Sequence, residues 1–542
     1  MKKAVVLLLA LTMLFCLAAC GSSGSQGGGS ATPPASTPGT TAPSTPSPGT
    51  PSAPEGPPTG PEGQEYGGIL KIASTASYNE PFGVPWLFIS FNRPFAAFGE
   101  ALLLESTFGD IVPFLAESWE PDWENAEVRF KLREDVTFTD GTKFNAESAA
   151  WNMNKWRDEG LLDPAVLHTE IRGEYEITTH LSWYSNWVPN TFASRLYCFV
   201  SPSNYEKNGG DFAAENPVGT GPYKMKERSP GSHVKFERND NYWQQGMPYL
   251  DGVEYYSLTD PLVQAAALMS TGDDRIDAVA TSSGELITSV VGSADVYLKS
   301  APSGPISFIP SSRDEGSPLA KLEVRQAIAY AVDRQAICDA RGFGIWTPGT
   351  QIIASGFMGH LPDSYDITFD PAKSKELLSQ AGYPNGFAVT VYASASIDRD
   401  AMVAIQSMLG DVGITANLEF PEAGAVSELR QNWTGLFVNS IGAFPNMTSM
   451  FGMYFDPDYL YYPRMWRPDD IADLYKQSRT TELLDPRLLE AYHAKLMENM
   501  LAIPLYNLFS SYIIRNEFHD TGFTEWGSGT QWTSWRVWRS SK

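Results

Sequence analysis

The chain is expected to be an α/β protein with mixed sheets. Stretches with apolar residues at every second position alternate along it with stretches of helical spacing, and no fixed repeat orders them. Residues 66–542 contain no second long linker, and a body of that length can bury large cores and divide into two or three domains. Taken in order, Gly67-Gly68 ahead of Ile69-Leu70-Lys71-Ile72-Ala73-Ser74 marks an opening strand. Residues 114–144 are strand-rich, with Val128, Phe130 and Leu132 alternating with Arg129, Lys131 and Arg133 as on a half-exposed strand. Thr139-Asp140-Gly141-Thr142 is a turn, its Asp-Gly suited to positive backbone angles. Asn145 is placed to cap a helix over 149–157 that carries Trp151 and Trp156. A longer helix is expected over 319–338, with Val324, Ile328, Ala331 and Val332 on one face and Asp333-Arg334 as a solvated pair late in it. Asp370-Pro371-Ala372 caps a helix that runs to Ala381 and stops at Gly382. Residues 401–412 form another helix, 414–420 a strand, 486–501 the last long helix and 503–514 the last strong strand.

The first sixty-five residues are of a different kind. Lys2 and Lys3 precede an apolar run over 4–15, the form of an export signal and too short to cross a bilayer core of about 30 Å comfortably. The run ends in Leu17-Ala18-Ala19-Cys20-Gly21, which resembles the lipobox of bacterial lipoproteins. The resemblance implies cleavage before Cys20 and lipid attachment to its thiol. From residue 21 to 65 the chain is almost entirely Gly, Ser, Thr, Pro, Ala and Gln, a tether with nothing to bury.

Net charge is −24, which excludes the basic stripes that nucleic acid requires. With Cys16 in the leader and Cys20 at the lipobox, only Cys198 and Cys338 of the four cysteines remain, and they read as separate buried thiols rather than a pair. Six scattered histidines offer no HExxH, and no zinc spacing, GxSxG elbow or phosphate-cradling glycine loop is found. No metal or cofactor is implied.

Several segments together resemble the bacterial family 5 solute-binding proteins, receptors for peptides, nickel and oligosaccharides that serve ATP-binding-cassette (ABC) importers. They are Leu115-Ala116-Glu117-Ser118-Trp119-Glu120 and Phe130-Lys131-Leu132-Arg133-Glu134-Asp135-Val136-Thr137-Phe138, then Asn216-Pro217-Val218-Gly219-Thr220-Gly221-Pro222-Tyr223. Arg238-Asn239-Asp240-Asn241-Tyr242-Trp243, Pro248-Tyr249-Leu250-Asp251-Gly252-Val253 and Val324-Arg325-Gln326-Ala327-Ile328-Ala329-Tyr330-Ala331-Val332-Asp333-Arg334 follow in order. Ala381-Gly382-Tyr383-Pro384 and Ile503-Pro504-Leu505-Tyr506 complete the set. Physically most of these are scaffold, the glycines of Gly219-Thr220-Gly221 bringing a strand back under a loop.

The resemblance implies a two-lobed periplasmic-binding-protein-like fold (type II, large cluster) with an extra small domain on lobe I. Lobe I is then 66–110 with 216–305 and 505–542, the extra domain 111–215, and lobe II 306–504. A monomer would close on a small solute by hinge motion and present it to ABC permease subunits. The only membrane contact would be through lipid, on the outer face of the cytoplasmic membrane, or in the periplasm of a Gram-negative cell. In peptide-binding members, a lobe II strand ends in a segment whose aspartate pairs with the peptide amino terminus. The corresponding Leu436-Phe437-Val438-Asn439-Ser440-Ile441-Gly442-Ala443-Phe444-Pro445-Asn446 has no acidic residue. Asn439 and Asn446, with Phe444 between them, offer neutral donors and acceptors to hydroxyls or amides, or are loop residues.

Fifteen tryptophans provide further candidates. Trp86, Trp346, Trp433 and Trp466 fall at expected loops or strand ends, where indoles stack on sugars and cations or simply pack. Trp526, Trp532, Trp535 and Trp538 more plainly close a core. After the first strand, Tyr78-Asn79-Glu80-Pro81-Phe82 lies where lobe I loops face the cleft, and Glu80 offers a charge to a cation or is a solvated turn residue. The enzyme reading, a surface glycoside hydrolase, rests on carboxylates too abundant to single out a pair. A sensor or adhesion protein on the same fold is not separable from a receptor by sequence.

Overall fold

The computed structural model describes residues 64–76, 78–86, 94–106, 110–194, 197–293, 295–394, 397–441, 447–456, 461–524 and 534–540. The leader, Cys20, the tether to residue 63, Phe444, Asn446, Trp526 and Trp532 lie outside them. Gln64–Glu65, counted with the tether by composition, already form a strand (β1).

Along the chain β2 is Ile69–Ser74, β3 Leu103–Glu105, β4 Ile111–Pro113, β5 Ala116–Asp122 and β6 Glu127–Leu132. Strands β7 (Val166–Gly173), β8 (Glu176–Leu181), β9 (Tyr223–Ser229), β10 (His233–Arg238), β11 (Gly252–Ser257) and β12 (Ala278–Thr281) follow. Next come the fifteen-residue β13 (Val296–Pro310), then β14 (Thr347–Pro348), β15 (Phe387–Ala393), β16 (Ile414–Glu419) and β17 (Leu436–Ser440). The chain closes with the thirteen-residue β18 (Ile503–Arg515), β19 (Phe518–His519) and β20 (Trp538–Ser540).

One large sheet runs in the order β16-β15-β17-β13-β18-β12-β2-β11-β10-β9, with β14 added beside β18. A separate four-stranded antiparallel sheet, β5-β6-β8-β7, stands on the first part of the chain. Burial divides the interior. One core is built from residues such as Leu70, Phe98, Phe130, Trp156, Phe236 and Tyr255, the other from Phe308, Ile328, Val391, Ile405, Val438, Leu489 and Tyr492. Among the described residues, only β13 and β18 run the length from one to the other within the sheet, paired from Val296↔Arg515 to Phe308↔Ile503.

Local sequence explains the element ends. Asn145 accepts from the Ser148 amide while Ser148 reaches back to the Asn145 amide, a capping box at the start of Ala146–Asp158. Asp370 caps Pro371–Gln380 by accepting from the Lys373 amide, and Gly382 beyond its end takes φ +90°. The helix expected over 319–338 is broken in two, Leu322–Tyr330 and Arg334–Arg341. Asp333 accepts from the Ala336 amide and so caps the second helix, which stops the first despite a continuous apolar face. Arg334 is not solvated either. It is buried and donates to the carbonyls of Ala329, Val332, Gly349 and Pro504 at 2.9–3.1 Å, tying the helix break to β18. Cys198 and Cys338 are buried, one in each core, and are not joined in a disulfide.

Candidate functional site

Strand directions locate the site. β12 is antiparallel to β18 and β18 to β13, so β12, and β2 parallel to it, run in the direction of β13, towards the second core. β17 is antiparallel to β13 and β15 parallel to β17, so both run back towards the first core. The carboxyl ends of the parallel strands in the two bodies therefore face each other, and those ends are where open α/β sheets bind ligands. Residues 75–76, 78–86 and 282–283 follow strand ends of the first body, and 394, 397–398 and 441 those of the second. The stretch of β13 and β18 between them, with β14 beside it, forms the floor.

Trp346 reaches this floor. It is half-buried and lies parallel to Tyr506 of β18, ring centroids 4.4 Å apart. Next to it Asn507 donates to Thr347 Oγ1 at 3.2 Å and to the Pro348 carbonyl at 3.1 Å, while its buried Oδ1 has no partner. At the end of β15, Asp398 is gripped by the Arg341 guanidinium through Nε (3.1 Å) and one terminal nitrogen (2.8 Å), and it also caps helix Arg399–Asp411. That hydrogen bonding raises the arginine's pKa further, so its guanidinium keeps its charge throughout the physiological range. Asn507, Arg341 and Asp398 were not singled out from sequence. Asn507 sits inside an apolar strand, and the other two are ordinary surface residue types.

The remaining candidates divide. Asn79 and Glu80 are exposed after β2, and the Asn79 carbonyl is held by Arg228 at 2.6 Å. Tyr78 is buried, its hydroxyl 3.2 Å from Ser74 Oγ. Phe82 packs among Phe95, Phe98 and Phe236, and Trp86 against Trp151 and Tyr205. Trp433 is buried in the second core with its indole N–H on the Ile309 carbonyl at 3.2 Å. Asn439, on β17, directs its amide N–H to the Tyr462 hydroxyl, and the buried Oγ of Ser307 opposite it lacks a partner. Trp466 is partly exposed near Arg325, while Trp535 stacks on Phe114 and Trp538 on His519.

Among the described residues, no group of three or more His, Cys, Asp or Glu is arranged to hold a metal ion, and no helix is long and apolar enough to cross a membrane.

Comparison with known proteins gives a consistent picture. The model for bacterial extracellular solute-binding proteins, family 5 Middle, matches residues 110–462. Glutathione-binding protein GsiB of Escherichia coli (strain K12) is 29% identical over 318 residues, which span 57% of this chain and 61% of that protein. The protein from Shigella flexneri serotype 5b matches at 29% over 319 residues with the same coverage. The chain thus spans less than two thirds of the length of these curated relatives. Among solved structures, AgaA from A. tumefaciens R10 in complex with agropinic acid superposes with a TM-score of 0.69 at 24% identity, covering 88% of this chain and 99% of that one. HbpA2 from Haemophilus parasuis gives a TM-score of 0.75 at 17% identity, with coverage of 88% and 100%. DppA from Helicobacter pylori in complex with the peptide STSA gives 0.70 at 19%, with 88% and 99%. These likenesses show the fold: a periplasmic-binding-protein fold of type II.

Proposed function

This chain belongs to the bacterial extracellular solute-binding proteins, family 5, and from that membership we infer that it captures a small solute for an ABC importer. The observation that carries the reading is the opposition of strand carboxyl ends across a floor of two continuous strands. Rotation about that floor opens and closes the space between the bodies, and the ligand selects the closed form by binding it better. Lobe I is taken as 66–110, 216–305 and 505–542, the extra domain as 111–215 and lobe II as 306–504. Trp346 supplies a flat apolar surface, Asn507 an unused acceptor, and Asn79, Glu80 and Asn439 polar groups at the walls. Such a set suits a peptide-like, opine-like or oligosaccharide solute and no covalent chemistry. Binding rather than catalysis is the proposed activity.

The test is a thermal-shift screen of the full chain against reduced glutathione, short peptides, oligosaccharides, nickel chelates and opines. A true ligand at 100 times its dissociation constant should contribute about 2.7 kcal/mol and raise the melting temperature. A shift in none of these classes would turn the reading towards a sensor or adhesion protein.

Export on a lipid anchor is the second half of the proposal, supported by Leu17-Ala18-Ala19-Cys20 ahead of the polar tether. Cys20→Ser should abolish incorporation of labelled palmitate into the protein. Incorporation into the variant at the parent's level would reject the anchor.

A further inference from the structure

The two bodies also meet away from the crossing strands. The loop 183–187, beside Tyr184 of the first core, reaches the end of helix Ile471–Arg479, whose Ile471 belongs to the second. A helix end leaves carbonyls without partners, and here the other body supplies them. The Asn186 amide donates to the Arg479 carbonyl at 2.9 Å, and its side chain donates to the Ser478 carbonyl at 2.7 Å and to Thr481 Oγ1 at 3.0 Å. The Tyr184 hydroxyl donates to the Glu482 carbonyl at 2.9 Å.

An ion pair completes the contact. The Arg479 guanidinium meets the Asp163 carboxylate, also donates to Ser185 Oγ at 3.1 Å, and lies between the rings of Trp183 (4.7 Å) and Tyr475 (5.3 Å). The side chain of Asp163 is 3% exposed and that of Arg479 14%, so the pair is screened from solvent. Asp163 is positioned beforehand, because it also accepts from the Ala165 amide at 2.8 Å.

We propose that this contact is a closure latch, which sets the closed population and so the solute affinity from outside the binding cleft. The proposal rests on the solute-capture reading above. Apart from the Asp163–Ala165 bond and the Arg479–Tyr475 contact, each of these interactions joins one body to the other, so rotation about β13 and β18 breaks them together and returns their groups to water. The latch therefore adds a fixed increment to the closed state whatever the solute is. When closure is incomplete, apparent affinity falls by the fraction of molecules able to close. Asp163 and Arg479 lie 316 positions apart in sequence, so the pair reports on the relation of the bodies and not on a local fold.

The test measures the distance between the bodies without any ligand. Spin labels go on Lys207→Cys and Lys375→Cys, exposed positions of the first and second bodies, in the full chain carrying Cys16→Ser and Cys20→Ser. The buried Cys198 and Cys338 stay unlabelled. Arg479→Ala and Asp163→Asn should each raise the ratio of long to short separations at least tenfold, the double variant no more than the stronger single one. Arg479→Lys, which keeps the charge and loses the fork, should fall between and serves if the alanine variant folds poorly. Two populations in the parent that no variant shifts would overturn the latch and leave hinge closure standing. One unchanged population in every protein would overturn both.

Discussion

Gly219→Ala is expected to cost about 4 kcal/mol or more, enough to unfold a large share of the protein in mild urea. A Cβ on Gly219 would stand 2.1 Å from the Phe98 carbonyl oxygen and 3.0 Å from its carbon. Backbone cannot swing aside as a side chain does. The same carbonyl accepts from the Gly221 amide at 2.9 Å, and a Cβ there would stand 2.6 Å from the Phe98 carbon. The two glycines thus clasp one peptide group, and the strand that follows, β9, is placed by that clasp. Gly141→Ala is the control. Gly141 has φ +83° and nothing within 4 Å of its added Cβ, so only backbone strain of about 1 kcal/mol applies. Urea midpoints of the two variants separate steric from conformational cost, and equal losses would refute the clasp.

The protein should become more stable as pH falls from 8 to 5.5, the reverse of ordinary acid sensitivity. Burial raises Glu100 and Glu105 from an ordinary 4.5 to about 7, against hydrogen bonds from Tyr242, Thr220 and Trp243 to the first and from Asn190 to the second. Each carboxyl group holds its proton to higher pH in the folded chain than in the unfolded one. Its contribution is full below pH 4.5 and lost as pH rises through 7, about 2 kcal/mol each between pH 5.5 and 8. His493 acts in the opposite sense. Burial lowers it from 6.5 to about 3, so stability is lost as pH falls below 6.5, about 1.4 kcal/mol by pH 5.5. The balance is a gain of about 2.5 kcal/mol towards pH 5.5. Glu105→Gln, which keeps a hydrogen-bonding oxygen for Asn190, should remove about 2 kcal/mol of that gain. A parent midpoint that falls over the same interval would sink the prediction.

Element starts were legible in sequence where a side chain makes them, as at Asn145 and Asp370, because the capping bond is local. The break at Asp333 was missed although it uses the same chemistry. The apolar face continues across it, and only the carbonyls that Arg334 collects from distant segments make a second helix preferable. Aromatic candidates were harder still. Tyr78, Phe82 and Trp433 are core residues and Trp346 lies at the floor, yet all four fall at predicted strand ends or loops. Periodicity tells which residues are apolar at a turn, not which body that turn faces. Asn507 could not have been found, since its unused oxygen exists only once β14 has taken its amide.

The place of β18 in the sheet bears on how the molecule is made and moved. It is the strand between β13 and β12, and it belongs to the last forty residues of the chain. While a ribosome works through the intervening two hundred or so residues, on the order of tens of seconds, the first core waits with its inner edge unpaired. The large sheet stays incomplete until residues 503–515 have been made. On the export route proposed above, that delay keeps the chain threadable, and a translocon that accepts only unfolded polypeptide has that interval in which to take it.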